Sequence, residues 1–288
     1  MKIVSFLFII IALVFTGCAT SPNITEVVKD PEPIVVAEVE KEAVKIVSIV
    51  YYPVKVESYF GDGVKDEYTI FNYNGGGSLL LEEGLFSADD SLQQSIKYEY
   101  KRPESTVKSH YNFSGNLISY EINTMDTDGN LLKREKFDNK DVLQSMSEYE
   151  YVNGMMSIWK VFGESGGLLS TTVYSYSDNL LSHIESLSPG GELEEYFELN
   201  YDANGLLLEN IHKNADGKIL DSRSFEYKNG YLVLEIIKRK NGSVLRKILY
   251  ENDKYGNPVE TVFMDAGDNV QERLVTVFES REEISYEK

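Results

Sequence analysis

Gly163-Glu164-Ser165-Gly166-Gly167 matches the G-x-S-x-G pattern in which a serine nucleophile is presented for acyl transfer on a sharp turn. That chemistry needs a strand before the serine and a helix after it, and here Leu168 to Tyr176 reads as another strand. Ser165 is therefore expected in a plain turn. Asp126-Thr127-Asp128-Gly129-Asn130, with Glu135 beyond it, clusters the oxygens that a hard cation such as calcium wants. Its first ligand position would fall on Thr124 and no helices flank it, so Asp-Gly turn chemistry accounts for the segment. Asp62, Asp66 and Glu67 form a weaker grouping of the same kind. The three histidines, His110, His183 and His212, do not stand at H-E-x-x-H or H-x-H spacing. A hydrolase would require them to converge with carboxylates beside a cleft. Cys18 is the single cysteine, which excludes an internal disulfide, a CxxC redox pair and a zinc cluster. With no phosphate-cradling glycine loop either, no catalytic, cofactor-binding or metal site is expected, and an enzyme is unsupported.

The elements that would position any such residue follow a repeat. Between Tyr151 and Gly267 a unit of about 25 residues recurs, each copy holding two bends. One set falls at Gly154, Asn179, Gly205, Gly230 and Gly256, and the other at Gly167, Gly191, Gly217, Gly242 and Gly267. Tyr151, Tyr176, Tyr201 and Tyr227 keep time with the first set. The runs between bends, roughly eight residues, are too short to reward helix nucleation, and several alternate with a period of two. In Leu193 to Tyr201, for example, Leu193, Phe197, Leu199 and Tyr201 share one face and Glu194, Glu198 and Asn200 the other. Asn204-Gly205, Asp216-Gly217, Asn229-Gly230 and Asn241-Gly242 are dipeptides that accept the positive φ of hairpin turns. Such short connections cannot carry a crossover, so neighbouring strands should be antiparallel. The expected fold is all-β: an antiparallel meander of some seventeen short strands forming an elongated, curved sheet or curled shell. Pro53, in the apolar run Ile46 to Tyr52, suggests an edge position for the first strand.

Tyr201-Asp202-Ala203-Asn204-Gly205-Leu206, followed by Asp216-Gly217-Lys218-Ile219 and Phe225-Glu226-Tyr227, resembles the YD-repeat (RHS-type) family. The aromatic-to-Asn-Gly spacing also looks like MORN-type repeats. The first resemblance implies a scaffold of repeated hairpins, in large members a shell around a toxin, for which this chain leaves no room.

At the amino terminus, Lys2 precedes an apolar run from Ile3 to Phe15 and the small residues Thr16-Gly17-Cys18, a secretion signal over residues 1–17. A run of 13 residues falls short of the roughly 20 that span a bilayer. Phe15-Thr16-Gly17-Cys18 resembles the lipobox of bacterial lipoproteins, which implies acylation of Cys18 and anchoring to a membrane through it; Ala19 after it looks like an outer-membrane address. Residues 18–45, with Pro22, Pro31, Pro33 and a run of acidic side chains, read as a tether, and residues 46–288 as one β-hairpin repeat domain.

Removal of the signal takes away Lys2 alone, leaving 27 basic against 47 acidic residues, a net charge of −20. A nucleic-acid partner is excluded by that balance, since a phosphate backbone needs a cationic footprint. The expected role is that of a lipid-anchored envelope repeat protein acting as a binding or structural scaffold for a protein or glycan, with a carrier or periplasmic chaperone for an apolar ligand held in the curved sheet as the alternative.

Overall fold

Two loop designs account for most of the hairpin loops among the described residues. At Asn153-Gly154, Asp178-Asn179 and Asn229-Gly230 both residues have positive φ, between 51° and 82°, which is the two-residue turn whose twist matches that of the strands. Most other described loops place three residues inside the bonded pair that closes them, the last of the three left-handed. In residues 202–206, Gly205 N–H donates to the Asp202 carbonyl (3.1 Å) and Asp202 N–H to that of Leu206 (2.9 Å), with Gly205 at φ 81°. Asn204-Gly205, Asp216-Gly217 and Asn241-Gly242 thus carry positive φ on the glycine alone, because an extra residue in the loop shifts the twist onto one position. Likewise the left-handed residue of the loop after Gly163 is Gly166, while the Gly167 carbonyl accepts the closing bond from Gly163 N–H (2.9 Å).

The Asp or Asn that opens most three-residue loops caps it. Asp126 Oδ1 accepts the N–H groups of Asp128 (2.9 Å) and Asn130 (2.8 Å), and Asp138, Asp202, Asp253 and Asp265 repeat the arrangement. These bonds, from the Asn side chain at Asp126, Asp253 and Asp265 and from backbone N–H at Asp138 and Asp202, hold the carboxyls below the usual carboxylate range. Glu57 is held at about 2 by Lys55 and then Lys65. Groups depressed in the fold stabilise it fully above their unfolded value near 4, and that contribution is lost as pH falls through the folded values. The melting temperature should therefore be flat from pH 7 to 5 and fall between about 4 and 2, as followed by circular dichroism. Glu67, raised by burial, works in the opposite sense and should only blunt the fall.

The computed structural model describes residues 44–75, 79–101 and 104–287, so the signal, Cys18 and the tether up to residue 43 lie outside the described residues. Eighteen strands run in order: β1 (Val44–Phe60), β2 (Lys65–Tyr73), β3 (Leu80–Ser87), β4 (Leu92–Lys101), β5 (Ser105–Asn112), β6 (Leu117–Met125), β7 (Leu131–Asp138), β8 (Leu143–Val152), β9 (Met155–Gly163), β10 (Leu168–Ser177), β11 (Leu180–Leu187), β12 (Leu193–Tyr201), β13 (Leu207–Asn214), β14 (Ile219–Lys228), β15 (Tyr231–Arg239), β16 (Val244–Asn252), β17 (Pro258–Asp265) and β18 (Val270–Glu287). Every strand pairs antiparallel with its sequence neighbours.

The meander is as expected, but its outline is corrected: β1 also pairs with β18, so the sheet closes into a barrel and is not an elongated curved sheet with two free edges. Across this seam Ser58 Oγ donates to Glu272 (3.1 Å), and the guanidinium groups of Arg273 and Arg281 lie over the rings of Tyr59 and Tyr52. Eighteen twisted strands exceed what an open sheet usually holds, and joining the ends pairs both exposed backbone edges. β1 is accordingly no edge strand. Pro53 is tolerated because it lies outside the Lys55–Tyr59 ladder to β2, and its carbonyl accepts the Tyr73 hydroxyl (3.0 Å).

A ring of this many strands encloses more space than its own side chains fill. Among the described residues the buried hydrophobics are Tyr68 and Ile248, and only Ile248, at 1% exposure, is fully enclosed. The wall is one sheet thick and held by its ladders and cross-strand pairs. Among these are the stacked rings of Tyr68 with Phe86 (5.1 Å), Tyr120 with Phe137 (5.0 Å) and Phe197 with His212 (4.3 Å).

Candidate functional site: the inner wall of the barrel

Paired residues share a face, so the registers sort every strand into two sets. Each set holds a few buried residues, Ile248, Glu235 and Ser58 in one and Tyr68 and Ser95 in the other, but Tyr98, Tyr174 and Tyr250, whose hydroxyls burial pushes up, all belong with Ile248. That set is the inner wall. The other set interleaves apolar residues with charges along many strands, among them Glu57, Lys65, Lys97, Glu148, Glu150, Lys160, Glu198, Lys213 and Glu251. A barrel seated in lipid turns an apolar band outward, where each Lys at mid-depth costs about 2–4 kcal/mol. The inner set is also charged, so neither face of this wall suits hydrocarbon. Among the described residues, no helix is long and apolar enough to cross a membrane.

The inner wall is built on tyrosines. Tyr100, Tyr151, Tyr176 and Tyr201 donate their hydroxyls to the carbonyls of Leu80 (2.8 Å), Leu131 (3.1 Å), Met156 (2.9 Å) and Leu181 (2.8 Å), each on the preceding strand. A side chain tied at its tip to the preceding strand is held along the wall. Tyr227, in step with these, is half-buried and raised in pKa by burial. Trp159, the one tryptophan of the chain, stacks beside Tyr149 on the same wall (6.1 Å).

Two charged belts complete it. From β12 to β16, His212 sits between Asp221 (Nδ1 to Oδ2, 2.9 Å) and Glu195 (Nε2 to Oε2, 3.1 Å), its side chain 16% exposed. Next to it Arg223 Nη1 donates to Glu235 Oε1 (3.0 Å), and the Tyr250 hydroxyl to Glu235 Oε2 (3.3 Å). From β3 to β7, Tyr98 donates to Glu83, Lys108, Glu121 and Lys136 line up across three strands, and Arg134 Nε donates to Asn123 Oδ1 (2.9 Å).

The sequence candidates do not assemble. Ser165 lies in the exposed loop between β9 and β10, with a strand on each side. Asp126 spends its oxygens on its own loop, and Glu135 on Lys133 (2.7 Å). Asp62 accepts Val64 N–H (3.0 Å) in the first loop, away from any cluster. Among the described residues, no group of His, Cys, Asp and Glu is arranged to hold a metal. His110 and His212 line the inner wall on β5 and β13, whereas His183 points out on β11 toward Glu185 (3.5 Å). His110 loses basicity chiefly through burial, then through Lys108. His212 is the histidine that does gather carboxylates, but both its nitrogens are taken, which leaves none to activate a nucleophile. Arg223, Glu235 and Tyr250 escaped the sequence reading. Their signal was Glu235 itself, a charge inside the apolar run Leu232 to Ile237.

No family model and no curated protein matches the chain. Among solved structures, a porin-like protein from Bacteroides uniformis overlaps 79% of this chain and 98% of its own at 11% identity and a TM-score of 0.45. A porin-like protein from Bacteroides vulgatus overlaps 80% and 99% at 10% identity and a TM-score of 0.35. A structure of TcdB2-TccC3-TEV overlaps 73% of this chain but 15% of its own, at 13% identity and a TM-score of 0.28. Overlaps this loose transfer no role, so the function must come from the wall itself.

Proposed function

We propose that this chain is a lipid-anchored protein of a bacterial envelope whose lumen binds a glycan. The observation that carries the reading is the row of tyrosine side chains tied along the inner wall by their hydroxyls. Such rings offer stacking faces at low entropic cost, and the charged belts beside them offer hydrogen bonds to hydroxyl and amide groups. An apolar ligand fits less well, since it would strip water from those belts without replacing it. Cys18 behind its apolar leader supports the anchor, and a charged outer surface supports a barrel that stands in water beside the bilayer.

Trp159 on the inner wall makes the test direct. Titration of the full chain with soluble cell-wall glycan fragments should shift or quench its fluorescence in a saturable way. Tyr151→Ala and Tyr176→Ala should each weaken binding by about fivefold to tenfold, the worth of one aromatic contact. A flat titration with glycan, beside a saturable one with a long-chain fatty acid or an extended peptide, would give the lumen to that other ligand.

A further inference from the structure

Inside the ring no strand has a free edge, but two strands outrun it. β1 and β18 have 17 and 18 residues, where the others have eight to ten. β1 meets β2 only from Lys55 to Tyr59, and β18 meets β17 only from Val270 to Val275. Among the described residues, 44–54 and 276–287 therefore have only each other as strand partners, and they stand past the rim as a two-stranded ribbon. Aromatic contacts pin its base on both sides: Tyr51 stacks on Tyr255 in the β16–β17 loop (4.5 Å), and Tyr52 packs against Tyr73 at the end of β2 (5.2 Å). Above them Val47 and Ile49 are 50% and 62% exposed. A strand in such a ribbon turns every second N–H and C=O away from its one partner, so residues 44–50 of β1 present unpaired backbone groups over about 23 Å. The two edges differ in chemistry. β18 carries Glu279, Arg281, Glu282 and Glu283, charges of the kind that guard an edge, whereas residues 44–56 of β1 hold Lys45 and Lys55 and no acid in a chain of net charge −19.

We propose that this edge of β1 takes an extended strand of a partner polypeptide, acidic and with apolar side chains at alternate positions. A strand answers both needs of the edge at once: its backbone repeat matches the unpaired groups, and its alternate side chains cover Val47 and Ile49. A bilayer would cover those side chains but leave the backbone groups without partners in hydrocarbon. A second copy of β1 would bring two more lysines and no acid to the ladder. The edge lies outside the lumen and does not depend on the glycan reading.

The probe is a fluorescein-labelled octapeptide alternating valine with glutamate and threonine, titrated into the full chain. Its anisotropy should saturate. Hydrogen exchange should show alternate amides within residues 44–50 open in the free chain and slowed at least about tenfold by the peptide. The same peptide with every amide N-methylated should not bind, and lysine in place of glutamate should weaken it about threefold. Ile49→Glu should weaken the acidic peptide about tenfold while the barrel melts as before, and Glu282→Lys, on the guarded edge, should change binding by less than about twofold. Slow amides throughout 44–50 in the free chain, equal binding of the N-methylated peptide, or binding that responds to Glu282→Lys and not to Ile49→Glu would overturn the proposal. So would protection of those amides by concentration-dependent self-association, or by phosphatidylethanolamine vesicles, with none from the peptide; the edge would then belong to a second copy or to the bilayer. Glycan is read at Trp159 and the strand at residues 44–50, so either reading can fail by itself.

Discussion

Gly61→Ala is expected to destabilise the barrel by about 2–3 kcal/mol, the upper range for a contact that cannot relax. Gly61 stands beside the seam, where an added Cβ would overlap the Val270 carbonyl and crowd the Gln271 Cα, both backbone atoms of β18. Neither can swing aside as a side-chain tip would, so β18 must retreat from β1. Gly63 supplies the control, since it has φ +83° with open space around it. Gly63→Ala should cost only the left-handed penalty of about 1 kcal/mol. Urea unfolding of both variants compares them, and a Gly61→Ala no worse than Gly63→Ala would mean that the seam is not tightly packed there.

Arg223→Ala should cost about 2–3 kcal/mol. Glu235 is 4% exposed and has two donors, the Arg223 guanidinium and the Tyr250 hydroxyl. Removing the cation leaves a buried carboxylate with one neutral partner, the situation in which a broken ion pair is most harmful. The figure sits below the range for fully buried pairs because the Arg223 side chain is itself 40% exposed. Glu235→Gln should be milder, about 1 kcal/mol, as its amide oxygen still accepts from Tyr250 and the Arg223 cation left without a carboxylate is 40% exposed to water. Thermal melts of the two variants decide it, and a loss under about 0.5 kcal/mol for Arg223→Ala would class the pair with ordinary surface pairs.

What could be read from residues alone is what local chemistry controls. Strand lengths and bends are written in Asp, Asn and Gly, and the antiparallel sense follows from loops too short to cross the sheet. The beat of Tyr151, Tyr176 and Tyr201 was visible, but its cause was not, because the bond each hydroxyl makes reaches a carbonyl on another strand. Closure was hidden for the same reason. Ser58 and Glu272 are 214 residues apart, and nothing near either announces the other. The clamp on His212 likewise depends on three strands in one register, where a slip of one residue would turn Asp221 outward.

One consequence of the β1 to β18 pairing concerns where the polypeptide is cut. With an even number of strands, the start of β1 and the end of β18 come to the same rim, so the ring has no privileged first strand. A peptide linking those two ends, with new termini opened in a distant loop such as 188–192, preserves every ladder. Circular permutation should therefore return the same barrel, with its amino and carboxyl ends at the opposite mouth.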